Sequence, residues 1–419
     1  MTRFTRKEKE VVSILSFGTF LEYFDLYLYI HLAVTLNKVF FAQGDAQSTA
    51  LLTSFAYVMS FMFRPISAII LGYVGDKYGR VTVIKTTLVL MGIVCLGIFF
   101  LPSYQEIGII ASFGITFFRI LQGFSTMGEI IGGEIYLCEY LKGKNIFLGI
   151  ATINFMALIA CQFALFGVYL SLKGWFDWRY LFLFGLVIFV VGFGIRRKLV
   201  ESTEFLQNKV SREPIVKEKV SKKFWFLMFL IECMSTVAAY VSLIGFNNIL
   251  RQEYNYSEVD VTVRNMYVTL FHMSAFIVCF VMFIYTKFSP YTIALYRNIV
   301  GIIFILTTPF LLSDLNSIIF AQSALAMLCC LDSCLVNGII YRNLPIGVRF
   351  KVGAITFALA KALTVILVSF GLVLMQPYLG KYIILIFVLP FLIGYNIALR
   401  YFAKIDMKNP NGLLQHYNN

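Results

Sequence analysis

The 419-residue chain is 59% hydrophobic and only 14% charged, with a mean hydropathy of +0.81 and a formal net charge of +13. A water-soluble globule could not hide that much apolar surface, so the composition excludes that class and points to an integral membrane protein. The positive charge lies in the connections between apolar runs, with no aromatic–basic RNA motif or helix-turn-helix context, so nucleic acid is not an expected partner.

A spanning helix needs about 20 apolar residues. Twelve runs qualify as spans one to twelve: 11–36, 49–71, 81–101, 107–137, 146–171, 179–195, 224–250, 263–286, 291–312, 316–341, 351–375 and 381–402. They are continuous rather than alternating, which excludes a β-barrel. The first run is long, carries acids and is followed by no small-residue cleavage site, so it reads as a retained helix rather than a signal peptide.

Between spans two and three lies Gly72-Tyr-Val-Gly-Asp76-Lys77-Tyr-Gly79-Arg80, a charged, glycine-rich turn. It must return the chain antiparallel through the bilayer, and its glycines let the two helices approach closely. The longest hydrophilic interruption, 196–223, holds nine Lys and Arg, four Glu and Pro214. It divides the chain into an N-terminal six-helix unit (1–195), a linker (196–223), a C-terminal six-helix unit (224–403) and a short tail (404–419). Six plus six with a central linker is how two-bundle secondary transporters are built. Lys and Arg crowd the N-terminal tail, the 72–80 turn, the 142–144 connection, the linker and the C-terminal tail. The other side carries Lys38, Lys173, Arg179, Arg251, Arg264 and Lys381. That bias puts both termini in the cytoplasm.

Individual residues inside the spans then stand out. Glu22 and Asp25, three apart, share one face of span one near the bilayer midplane. Charging an acid there costs about 2.5–3.5 kcal/mol, which argues for a role in taking up a proton, or for a fixed ion pair with Arg64 or Arg119. Arg119 lies at a similar depth in span four and offers a planar fork to a carboxylate. Asp332 and Lys361 sit well inside spans ten and eleven, and Glu232 and His272 are further polar residues in C-terminal spans. The eight cysteines read as small packing residues. No metal-ligand cluster, Ser-His-Asp set or phosphate-cradling loop is present, so neither a cofactor nor an enzymatic activity is expected.

The 72–80 turn resembles the signature loop of the major facilitator superfamily, and Arg64-Pro65 before it is similar to one branch. That branch is the metabolite:proton symporters, which include transporters of proline/betaine, 2-oxoglutarate and citrate. Further matching stretches are Leu21-Glu22-Tyr23-Phe24-Asp25, Gln122-Gly123-Phe124-Ser125, Gly128-Glu129, Gly132, Tyr136, Glu139-Tyr140, Trp178-Arg179 and Glu201-Ser-Thr-Glu204-Phe205. The C-terminal half adds only Leu344-Pro345 and Val348-Arg349-Phe350.

The resemblance implies an all-α fold of twelve transmembrane helices in two six-helix bundles, with spans one and four bordering a central cavity. It implies proton coupling by Glu22, Asp25 and Glu129, and substrate contacts from Arg119 and Arg179, to which the buried position of Asp332 adds a third candidate. It also implies gating by Asp76, Lys77, Arg80 and Glu139, with Gly72 and Gly79 shaping the loop. Asp76 is expected near the N-terminus of span eleven and Arg80 near Glu139 at the end of span four.

The sequence departs from the pattern in three places. The 285–291 connection lacks a second signature loop, span eleven reads Thr356-Phe-Ala-Leu-Ala-Lys361, and Glu134 stands where small residues are usual. The expected function is proton-coupled symport of a small polar metabolite, an organic acid or a zwitterion such as proline or betaine, by a monomeric unit in a bacterial inner membrane. A transport-dead nutrient sensor of the same fold is the alternative.

Overall fold

The computed structural model describes residues 4–42, 58–197, 199–210, 220–286, 288–312, 314–329, 332–409 and 412–417. Among them, eleven helices are long and apolar enough to cross a membrane: Arg6–Phe40, Val58–Tyr78, Arg80–Phe100, Ile109–Tyr140, Lys144–Leu172, Arg179–Arg196, Lys222–Arg251, Glu258–Tyr285, Pro290–Leu311, Arg349–Leu372 and Ile383–Lys408. Span ten is described in two pieces, Leu315–Cys329 and Asp332–Arg342, of which the first is apolar but shorter than the others. The chain is a multi-pass, all-helical membrane protein.

Local chemistry sets the helix ends. Thr5 and Ser257 form capping boxes with Glu8 and Asp260, satisfying N–H groups at the starts of spans one and eight. Ser221 and Ser289 cap spans seven and nine, the latter with Pro290 in its first turn. The 72–80 segment differs from the sequence expectation: it is not a turn of nine residues. Span two stays helical through Tyr78, span three begins at Arg80, and Gly79 alone, at φ +118°, breaks the chain. The charged residues did not require a loop, because Lys77 faces outward and Asp76 finds a partner on another helix.

Spans four and seven each carry one π-helical segment, Met127–Ile131 and Val241–Gly245. Such wide turns tend to mark functional sites. The packing repeats along the chain. Spans one and five lie together, as do three and six; the same pairs recur as seven and eleven, and nine and twelve. Spans two and eleven, and eight and five, join the two halves.

Because lipid supplies no hydrophobic drive between helices, close backbone approach matters. A Cβ on Gly123 of span four would stand 2.1 Å from the Ser60 carbonyl oxygen of span two. The outer surface is rich in large apolar side chains, among them Phe100, Phe113, Ile303 and Phe310, as a bilayer requires.

Candidate functional site

A cavity of about 190 Å³ lies where the halves meet. Its lining comes from spans one, two, four, five, seven, eight, ten and eleven; spans three, six, nine and twelve contribute none of the lining residues. Apolar and aromatic side chains form most of the wall, interrupted by four charged residues: Arg64, Glu134, Glu232 and Lys361. Asn154 and Asn337 donate to the two oxygens of Glu134 at 3.0 and 2.8 Å, and Asn337 does so from the other half. Lys361 Nζ donates to Ser235 Oγ at 2.8 Å and to the Glu232 carbonyl at 3.4 Å. The Lys361 ammonium stands over the Phe357 ring. This arrangement, mostly apolar with a few convergent polar groups, suits a small polar solute.

Behind the cavity wall, the N-terminal half buries three acids in two kinds of surroundings. Glu22 accepts hydrogen bonds from the hydroxyls of Thr126 and Ser125. Asp25 accepts a weak one from the Cys95 thiol at 3.8 Å, and its Oδ2 has no hydrogen-bond partner among the described residues. Neither makes an ion pair among the described residues, although the fields of Arg64 and Arg119 reach them. A hydroxyl both donates and accepts. Thr126 Oγ1 also reaches the Gln122 carbonyl at 3.1 Å, so its proton can turn there and leave a lone pair for a protonated Glu22. Glu129 stands in different company, since Arg196 from the end of span six holds both its oxygens in a buried, bidentate pair. The pair fills the space beside Gly18, where a Cβ would overlap the guanidinium. A guanidinium only donates, so both Glu129 oxygens serve as acceptors in this pair.

The face where span one begins and span twelve ends carries a charged clamp between the halves. Asp76 accepts the backbone N–H groups of Phe350 and Lys351 at 3.2 and 3.0 Å, capping the first turn of span eleven from the other half. The orphan donors of a helix N-terminus favour such a carboxylate. Gly72 permits the approach, since a Cβ there would be 3.0 Å from the Lys351 Cα. Arg80 is fully buried, donating to Glu139 at 2.8 Å, to the Gly75 carbonyl at 2.8 Å and, across the halves, to the Ile346 carbonyl at 3.0 Å. Arg349 adds a contact to Glu139 at 3.4 Å. Lys77 is exposed and bonds the Tyr73 hydroxyl.

The segment after span six completes the clamp. Glu201 accepts the N–H groups of Arg80 and Val81 at 3.1 and 2.9 Å, a cap for span three that occupies the space a side chain at Gly79 would need. Burial pushes the Glu201 carboxyl up from the usual carboxylate range, against the pull of these two donors. Ser202 donates to Glu139, Glu204 pairs with Arg342 at 2.8 Å and Arg349 at 3.4 Å, and the Phe205 ring lies against Arg80. Among the described residues, the opposite face carries an exposed Lys38–Glu258 pair at 3.4 Å, and a Cys161–Thr269 contact lies in the cavity wall.

With this geometry described, comparison with known proteins decides the family. Residues 15–345 match the Major Facilitator Superfamily profile. The chain belongs to the Major Facilitator Superfamily. Its relatives include a protein named "Putative proline/betaine transporter" from Staphylococcus aureus (strain COL). That relative is 35% identical over 217 residues, which is 50% of this chain and 46% of that protein. Another, the "Proline/betaine transporter" of Escherichia coli (strain K12), is 30% identical over 277 residues, 60% of this chain and 55% of that protein. The chain spans about half the length of the curated relatives it matches. Among solved structures, the proton:xylose symporter XylE bound to 6-bromo-6-deoxy-D-glucose superposes with a TM-score of 0.74. It covers 97% of this chain and 98% of that one at 14% identity, a likeness of fold alone. As members of this superfamily are transporters, the protein is not an enzyme.

Within this superfamily fold, the sequence-derived candidates fall in three places. Glu22, Asp25 and Glu129 share the interior of the N-terminal half, and Arg119 joins them, hydrogen-bonded to Gln122 and stacked on Tyr29. Asp76, Arg80, Glu139, Gly72 and Gly79 assemble the clamp. Arg179 lies at the other end of span six, over the Trp178 ring and donating to the Leu101 carbonyl at 3.3 Å. Neither Arg119 nor Arg179, both expected to touch substrate, lines the cavity. The side chain of Asp332 lies outside the described residues. Sequence reasoning assigned no role to Arg196, Glu201, Glu204 or Arg349. The last three lie in stretches that carry the family resemblance, which was the available signal.

Proposed function

We propose that the chain is a proton-coupled symporter moving a small polar metabolite, an organic acid or a zwitterion such as proline or betaine, by alternating access. The observation that carries this reading is the polar-lined cavity shared by eight spans and shut toward one face by contacts that cross between halves. With the Lys- and Arg-rich face cytoplasmic in a bacterial inner membrane, both termini lie inside and the cavity is closed inward. The moving units are 1–195 and 224–403, joined by 196–223. Opening inward requires Asp76, Arg80 and Glu204 to release span eleven, the Ile346 carbonyl and Arg342.

Glu22 and Asp25 take up the proton; the hydroxyls of Thr126 and Ser125 around Glu22, which can donate or accept, support the reading for that acid. Arg119 acts on Asp25 through its field rather than on substrate, as Arg64 acts on Glu22, while Arg179 anchors the outer end of span six. Glu129 with Arg196 keeps the bundle rigid around them. A single chain encloses the whole cavity, which supports a monomeric unit. The names of the curated relatives support the substrate range.

Proteoliposome uptake tests the proposal, using labelled proline, glycine betaine, 2-oxoglutarate and citrate with and without an inward proton gradient. Gradient-stimulated accumulation of one of them is expected. Uptake indifferent to the gradient would overturn coupling, and no uptake by folded protein would overturn transport.

A further inference from the structure

The cavity carries more information than its shape, because its charged groups are balanced and placed on opposite halves. Taking the cavity as the transport site, and so resting on the reading above, we infer that Lys361 and Glu134 are the two poles of a site for a small zwitterion. Lys361 receives the carboxylate, Glu134 receives the ammonium, and polycarboxylates are excluded.

Three observations lead there. The four charged lining residues are two cations and two anions, so the wall is neutral as a set. A net-neutral solute preserves that balance, whereas a di- or tricarboxylate would bring like charges against Glu134 or Glu232 where water is scarce and repulsion is strong. Next, Lys361 is held by neutral acceptors, a serine hydroxyl and a main-chain carbonyl, with no carboxylate within 4 Å among the described residues. An ammonium has three donors, and the protein uses two. A ligand carboxylate would supply the third acceptor and a direct ion pair, where Glu232 and Glu134 act on the ammonium only through their fields.

The third observation is the donor set at Glu134. Two amide N–H groups point at its two oxygens, which suits a carboxylate; a carboxylic acid would need an acceptor for its O–H. The Tyr341 hydroxyl also stands beside this carboxylate, which has about four lone-pair sites in all. Tyr23, Tyr27 and Phe276 line the same cavity, aromatic residues of the kind that can stabilise a cation. A volume of about 190 Å³, against about 30 Å³ per water molecule in the liquid, fits a solute of amino-acid or betaine size.

Because Glu134 is on span four and Lys361 on span eleven, one zwitterion would tie the halves together through its two charges. A lone carboxylate or a lone ammonium would engage one half only.

Equilibrium binding to the purified full-length protein in detergent tests this without a membrane or gradient. The probes are radiolabelled glycine betaine and L-proline, and the competitors are unlabelled succinate, citrate and choline. At least one zwitterion is expected to bind, with each competitor at least 100-fold weaker. Lys361→Gln and Glu134→Gln should each weaken zwitterion binding at least 30-fold, and Lys361→Arg should restore part of it. Competitor selectivity of the unmodified protein keeps the test decisive if a variant does not fold. Succinate or citrate binding in preference to both zwitterions, choline competing equally, or no zwitterion binding would overturn the site. Selective zwitterion binding with uptake indifferent to a proton gradient would overturn symport and leave the site standing.

Discussion

Glu22 and Glu129 are the same residue type, equally buried in the same half, yet their partners are chemically opposite. Glu22 sits among hydroxyls that can donate or accept, whereas Glu129 is clasped by a guanidinium that can only donate. The first setting offers both donors and acceptors, as an acid that gains and loses a proton needs; the second offers donors only and pairs the acid with a cation. Burial of an acid in a membrane span is therefore not enough to name a proton carrier. What surrounds the acid decides.

The contrast can be broken by removing one partner at a time. The largest effect is expected for Arg196→Gln, which strands Glu129 as an unpaired buried charge and should cost about 3–5 kcal/mol, read as a steep fall in the thermal unfolding midpoint in detergent. Adding Glu129→Gln should recover most of the loss, and an Arg196→Gln protein as stable as the unmodified one would erase the distinction.

The clamp gives the intermediate effects. Gly79→Ala forces a side chain into a positive-φ position and displaces the Glu201 cap, a loss of about 2 kcal/mol that the same measurement reads. Asp76→Asn keeps the protein inserted but removes a charge from the span eleven N-terminus. That weakens the clamp by about 1 kcal/mol and should change exchange rates several-fold. Glu22→Gln should alter stability least, by about 1 kcal/mol or under, since an amide can still bond both hydroxyls. A large destabilisation there would mean that Glu22 is structural after all.

Much of this architecture could be read in the chain because membrane spans announce themselves by length and hydropathy, and because the Asp76, Arg80 and Glu139 spacing carries a family pattern. The one-residue break at Gly79 could not be read: charges at 76 and 77 look like a water-exposed loop until their partners are known. Nor could the role of Arg196, since its partner Glu129 is 67 positions away in sequence. Glu134 drew attention as a departure from the family pattern and Lys361 as a charge inside a span, but their relation exists only where the halves meet. Arg119 fitted a substrate role by type and depth and Arg179 by family resemblance, and only the course of the cavity wall separates them from it. The expected substrate contact at Asp332 lies outside the described residues.

The central claim is that Glu22 and Asp25 couple the proton to transport, and the most direct test compares two modes of transport in the same vesicles. Glu22→Gln and Asp25→Asn proteins would be assayed for gradient-driven accumulation and for substrate exchange at equal pH on both sides. Accumulation should be abolished while exchange stays within a few-fold of the unmodified protein. Equal loss of both modes, or intact accumulation in both variants, would contradict the account.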